Sequence, residues 1–151
     1  MLPSDRFRRQ HEELFLLARE IDAALEAPAF PGNARAVRRM MARLKGKLLV
    51  HSSMENEALY PHLLQHTDSH IRAVAQRLFD EFGSIYDVLA QHHSQWNTVE
   101  LIEASSSAYA RDTRAIFERL KVRMDRENSE LYPLADREGA LAAEENSRAS
   151  R

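Results

Sequence analysis

Cysteine is absent from the 151 residues, which removes disulfides, thiolate metal ligands and cysteine nucleophiles. Glycine and proline are scarce, at 4 and 5 residues, so the chain has few places to turn. Neither sign of charge dominates. The formal net charge is −2, and nothing in that balance draws the chain to nucleic acid. No apolar run approaches the roughly 18–20 residues of a membrane span. The opening segment MLPSDRFRRQHEEL lacks the apolar stretch of a signal peptide. A cytoplasmic location with no membrane partner is therefore expected. There is also no phosphate loop, dinucleotide fingerprint or nucleophile motif, so an enzyme is not expected. Any metal has to be held by His, Asp or Glu.

What the chain does have is helical periodicity. Apolar positions recur at steps of 3 and 4 in four stripes. The first runs Phe7, His11, Leu14, Ala18, Ile21, Leu25 and stops before the Pro31-Gly32-Asn33 turn. The second runs Val37, Met41, Leu44, Leu48, His51, Glu55, Leu59, with Pro61 placed to kink or loosen its end. The third runs Ile71, Val74, Leu78, Phe82, Ile85, Leu89 and on through His92 to Trp96, with Thr67 or Asp68 as its cap. A bridging piece at Asn97 to Glu103 has room for one helical turn. The fourth starts near Ser105–Ser107 and runs Tyr109, Thr113, Ile116, Leu120, Arg123, Glu127, Leu131. Long helices joined by short connections predict an all-α, antiparallel up-down-up-down four-helix bundle over residues 1–136. Residues 137–151 lose the stripe and read as a flexible C-terminal tail.

The informative residues are polar ones in apolar places. His11, His51, Glu55, Arg123 and Glu127 all fall within the stripes. Buried charges cost several kcal/mol unless paired or metal-bound, so these five are expected to meet inside. His51 and Glu55 are four apart and point the same way from one helix. Neutral imidazole with carboxylate suits iron, manganese or zinc. There is also an internal echo: LVHSSMENEALYP (Leu49 to Pro61) resembles KVRMDRENSELYP (Lys121 to Pro133). It sets His51 on Arg123 and Glu55 on Glu127, as a pseudo-two-fold axis between the second and fourth helices would.

These segments, His11 in RRQHEEL, His51 and Glu55 in VHSSMENEALYP and Glu127 in RENSELYP, resemble the hemerythrin-like, cation-binding HHE domains from about Phe7 to Asp136. In that family a His, a His-x-x-x-Glu, a further His and a second His-x-x-x-Glu, one set per helix, hold two iron ions bridged by the two carboxylates. The resemblance implies oxygen, redox or iron sensing. The departures are one-sided. Arg123 stands at the fourth-helix His position, and Phe82 and Tyr86 align with the third-helix histidines, with Glu81 beside them. The set for one iron survives, so the resemblance implies a metal at His11, His51, Glu55 and Glu127, one ion or none rather than two. Arg123, Glu81 and Tyr86 are then expected around that centre. A guanidinium is always charged and meets carboxylates in a fork, so Arg123 can replace the second cation. The alternative is a metal-free bundle acting as a regulatory interaction module in signalling.

Two further features stand apart. No acidic residue separates Glu26 from Glu55, a stretch that carries Arg35, Arg38, Arg39 and Arg43. The plain reading is a solvated helix face; the sharper one is a docking site for an acidic protein partner or a phosphate ligand. His62, His66 and His70 read as surface residues, His92 as an inner-face residue far below the ligand level, and Trp96 and Tyr60 as packing aromatics.

Overall fold

The structure is a computed structural model that describes residues 2–82 and 84–138, apart from the side chain of Phe82. The helices are α1 (Asp5–Glu26), α2 (Ala34–Met54), α3 (Tyr60–Leu64), α4 (Ser69–Phe82), α5 (Ile85–Gln95), α6 (Val99–Ala104) and α7 (Ser106–Arg126). Single π-helical turns, Glu55–Leu59 and Glu127–Leu131, follow α2 and α7. After the second of these, residues 132–138 are again α-helical. The result is four limbs: α1; α2 with α3; α4 with α5; and α7 with residues 132–138.

Contacts between numbered residues give the directions. His11 meets His51, while Asn33 donates to the Ala24 carbonyl at the other end of the same pair. Asp22 meets Arg114 and Ser4 meets Asp136. His92 meets Thr113 and Arg77 meets Glu130. In each pair one number rises as the other falls, so neighbouring limbs are antiparallel, as the four stripes predict.

Most of the expected boundaries hold. Asp68 is the cap chosen from the two candidates: its Oδ1 accepts from the backbone of His70 at 2.8 Å and of Ile71 at 3.4 Å. The bridging turn is α6, capped by Thr98, whose Oγ1 accepts from Leu101 N at 3.2 Å. Two expectations need correction. The third limb is not continuous: α4 ends at Phe82, and Ser84 (φ −102°, ψ 9°) is outside helical geometry before α5 begins. The helix of the fourth limb runs through Glu138, so only residues 139–151 of the expected tail lie outside the described residues.

The apolar core comes in two parts. One is built around Leu14, Ile21, Leu44, Leu89, Tyr109 and Leu120. The other is built around Phe7, Leu63, Leu78, Leu131 and Tyr132. Between them lies a polar layer of His11, His51, Glu55, Arg123 and Glu127, each at most 3% exposed. Among the described residues no helix is long and apolar enough to cross a membrane.

Candidate metal centre

Two repeated backbone devices aim the polar layer. In each echo segment a proline ring would clash with the carbonyl four residues earlier. That carbonyl belongs to Glu57 or Ser129, inside the π turn in both cases. Widening the turn by one residue relieves the clash. It also produces i→i−5 bonds, from Tyr60 N–H to Glu55 O and from Tyr132 N–H to Glu127 O. Residues five apart, off-face in a regular α-helix, then share a face. Each limb thus presents a glutamate and a tyrosine inward together.

The four groups are crossed. Tyr60 Oη donates to Glu127 Oε2 at 2.9 Å, and Tyr132 Oη donates to Glu55 Oε2 at 2.9 Å. The i,i+4 pairs repeat the relation: His51 Nε2 lies 2.8 Å from Glu55 Oε1, and Arg123 Nε lies 3.4 Å from Glu127 Oε1. The pseudo-two-fold axis suggested by the echo is therefore present in the chemistry of the site. Arg123 also reaches across, its Nη2 standing 3.4 Å from Glu55 Oε1.

His11, His51, Glu55 and Glu127 each offer a ligand atom, all within 4.8 Å of one another. Both imidazoles turn Nε2 inward. His51 Nδ1 is 2.7 Å from Gln10 Oε1, and His11 Nδ1 is 2.9 Å from Asn128 Oδ1. Gln10 in turn donates its amide to Met54 Sδ at 3.2 Å, which orients the oxygen toward the ring. Amide oxygens only accept, so each Nδ1 carries the proton and each Nε2 keeps a lone pair. The two Nε2 atoms are 3.0 Å apart, and His11 Nε2 is 3.3 Å from Glu127 Oε1. Glu127 Oε1 is buried without a well-aligned hydrogen bond. Acceptors facing acceptors at this range repel unless a shared proton or a metal ion stands among them. Two ligands at about 2.1 Å from one ion, at right angles, lie about 3 Å apart, which matches these contacts.

The electrostatics agree. Burial lowers the pKa of His51 to about 4, with Arg123 adding and Glu127 opposing, so its imidazole is neutral near neutral pH, as a ligand must be. Burial, then the charge of Glu127, pushes Glu55 well above the carboxylate range. Burial would also raise Glu127, but its close contact with His11 and the charge of Arg123 outweigh it and hold Glu127 below that range. Burial works against the charge of Arg123, and Glu127 and Glu55 more than offset it. This donor set can hold a metal ion, and the guanidinium beside it meets both carboxylates.

The five residues read from the stripes do come together. Glu81 does not join them: it is exposed and forms an ion pair with Arg126 at the surface. Tyr86 is half-buried on α5, and no hydrogen bond among the described residues ties it to the centre. The placement of Tyr86 assumed an unbroken third helix, and the interruption before α5 shifts the phase of the helix beyond it; Glu81 lies before the break, on the outer face of α4. Phe82's side chain lies outside the described residues. His92 is buried but meets Thr113 Oγ1 at 2.9 Å, away from the centre. His66 pairs with Glu138 at 2.7 Å, while His62 and His70 are exposed. Tyr60, Tyr132, Gln10 and Asn128 are functional neighbours that the stripes missed. The tyrosines and Asn128 had a signal, their shared places in the echo; Gln10 had none.

Neither a comparison with curated proteins nor one with solved structures found a match. The family model of the hemerythrin HHE cation binding domain matches residues 2–135, nearly the whole described chain. With a buried His/Glu group able to hold a metal, the chain belongs to the hemerythrin HHE cation-binding domain family.

Proposed function

We propose that the protein binds a single iron ion at His11, His51, Glu55 and Glu127 and uses its occupancy in oxygen, redox or iron sensing. The observation that carries this reading is the pair of Nε2 lone pairs 3.0 Å apart, fixed by side-chain amides behind them and facing two carboxylates. Iron bound there supplies a Lewis-acidic, redox-active centre. The chain's residues do the rest. Gln10 and Asn128 fix the ring orientations, Arg123 neutralises the second carboxylate's charge, and the two apolar half-cores exclude bulk water. A binding role is preferred to a catalytic one, since the five residues of the layer are each at most 3% exposed.

Arg123 favours a second reading. Its contacts with Glu55 and Glu127, with a tyrosine hydroxyl on each acid, form a network able to stand without metal as the core of an interaction module. Elemental analysis of native, untagged protein decides between them. One iron per chain is expected, without the near-ultraviolet bands of an oxo-bridged pair. A stably folded chain that stays metal-free even after anaerobic reconstitution with ferrous iron favours the second reading. Two irons per chain defeat both.

A further inference from the structure

The basic half of α2 meets a second buried feature in the other half of the bundle. Arg38 and Lys45 are seven apart on α2, so they share a face. Against that face α5 sets His92 and His93, Trp96 follows at its C-terminal end, and Tyr109 of α7 completes the wall. Together they line a narrow recess whose enclosed part is about 10 Å³, enough for one water-sized atom, opening past the half-buried Arg38, Lys45 and His93.

Apart from the apolar Met41 and Leu89, the wall is made of groups able to donate. No carboxylate lines it, and neither Arg38 nor Lys45 has an ion-pair partner among the described residues. Trp96 is 8% exposed, and its indole N–H is buried with no hydrogen-bond partner. A buried donor left unpaired is unusual and asks for an acceptor. Burial and the charges of Lys45 and Arg38 hold His93 below the usual histidine range, which marks a positive potential at the mouth. His92 also feels the opposing charge of Asp112. Asp112 is not part of the wall and stands 3.5 Å from Arg111. Thr113, which holds His92, is ten residues and so about 15 Å of helix from Arg123. The recess is therefore separate from the metal centre.

We propose that this recess binds a phosphate group, as inorganic phosphate or as the phosphate of a small ester. One oxygen enters the recess, where Trp96 offers its free N–H, and the remaining oxygens stay at the rim with Arg38 and Lys45. A guanidinium fork beside an ammonium suits a multiply charged, tetrahedral oxyanion better than a halide. Arg35, Arg39 and Arg43, exposed on the same helix, add long-range attraction without lining the site.

Trp96 is the sole tryptophan, so its fluorescence reports directly on the recess. The full chain, metal content as isolated, is titrated at constant ionic strength and slightly alkaline pH with inorganic phosphate, with glycerol phosphate, and with chloride. The linewidth of the phosphorus NMR signal is followed in parallel. A saturable change with either phosphate compound and none with chloride is expected. Arg38→Gln with Lys45→Gln should weaken it by about tenfold or more, and Arg38→Lys by less. Both side chains are partly exposed, so circular dichroism and metal content should not change. Tighter binding of the ester identifies a phosphorylated metabolite as the ligand; tighter binding of the free ion identifies phosphate. No saturable response by either readout, an equal response to chloride, or undiminished binding by the double variant overturns the proposal.

Discussion

The hydroxyl of Tyr132 donates to Glu55 across the bundle at 2.9 Å, and Tyr60 repeats the bond in the opposite sense with Glu127. All four side chains are at most 2% exposed, so water cannot replace either donor. Tyr132→Phe or Tyr60→Phe should each cost about 1–3 kcal/mol of folding stability, the penalty for leaving a buried acceptor short of a partner. Urea unfolding of the metal-free chain measures this. The unlike charge states add a sharper demand: Tyr60→Phe, which strips the ionised Glu127, should cost the more. A neutral Tyr132→Phe would mean the hydroxyl does not serve Glu55 in solution.

Arg123 faces the same pair of acids as their fixed positive charge. Arg123→Met keeps the bulk and removes the charge. The metal-free variant should lose about 3–5 kcal/mol. Part of that loss is relieved when a carboxylate takes up a proton, so it should deepen as pH rises. Added metal should then raise the variant's melting temperature more than the wild type's, because the ion supplies the missing charge. Equal metal-free stabilities would show that the guanidinium is not what balances the two acids.

The central residues were readable because each breaks a pattern. A histidine, glutamate or arginine at an otherwise apolar helical position has to be paired inside, and five such breaks on three limbs converge. The tyrosines broke no pattern. On a regular helix Tyr60 and Tyr132 point away from Glu55 and Glu127, and only the π turns bring them round. Periodicity assumes a constant turn, so it cannot register one residue too many, although the prolines just beyond give a reason for it. The same assumption misplaced Tyr86, which lies beyond the interruption of the third limb. Gln10 and Asn128 sit beside stripe residues, and which ring nitrogen they meet depends on side-chain conformation. No spacing encodes that.

His92 gives the chain a pH dependence that does not involve the metal. Burial, with His93 adding and Asp112 opposing, lowers its pKa to about 4 from the ordinary 6.5. Around it stand Arg38, Lys45, His93 and Tyr109 along the recess, and Thr113 and Asp112 on α7. The folded value lies below the unfolded one. As pH falls, the unfolded chain takes up the proton first. The stabilisation is therefore complete above pH 6.5 and is lost as pH falls from 6.5 toward 4. His92→Gln should flatten the rise of unfolding free energy across that window. His51 has a like shift, so part of the slope will remain. A variant with the full wild-type slope would place His92 in contact with water.

Gln10 and Asn128 hold the rings of His51 and His11 through Nδ1 at 2.7 and 2.9 Å. Neither touches the space between the ligand atoms, so each acts on a metal only through the histidine it orients. Gln10→Leu or Asn128→Leu leaves an Nδ1–H without its acceptor and frees the ring to turn or change tautomer. Metal affinity should fall by about 10–100-fold in either variant, the usual loss when an outer partner of a ligating histidine is removed. Competition against a chelator of known affinity measures it, and circular dichroism checks that the bundle persists. If affinity survives both changes in a folded protein, the inward-facing Nε2 atoms are held by packing alone. The amides would then be neighbours of the site without a part in it.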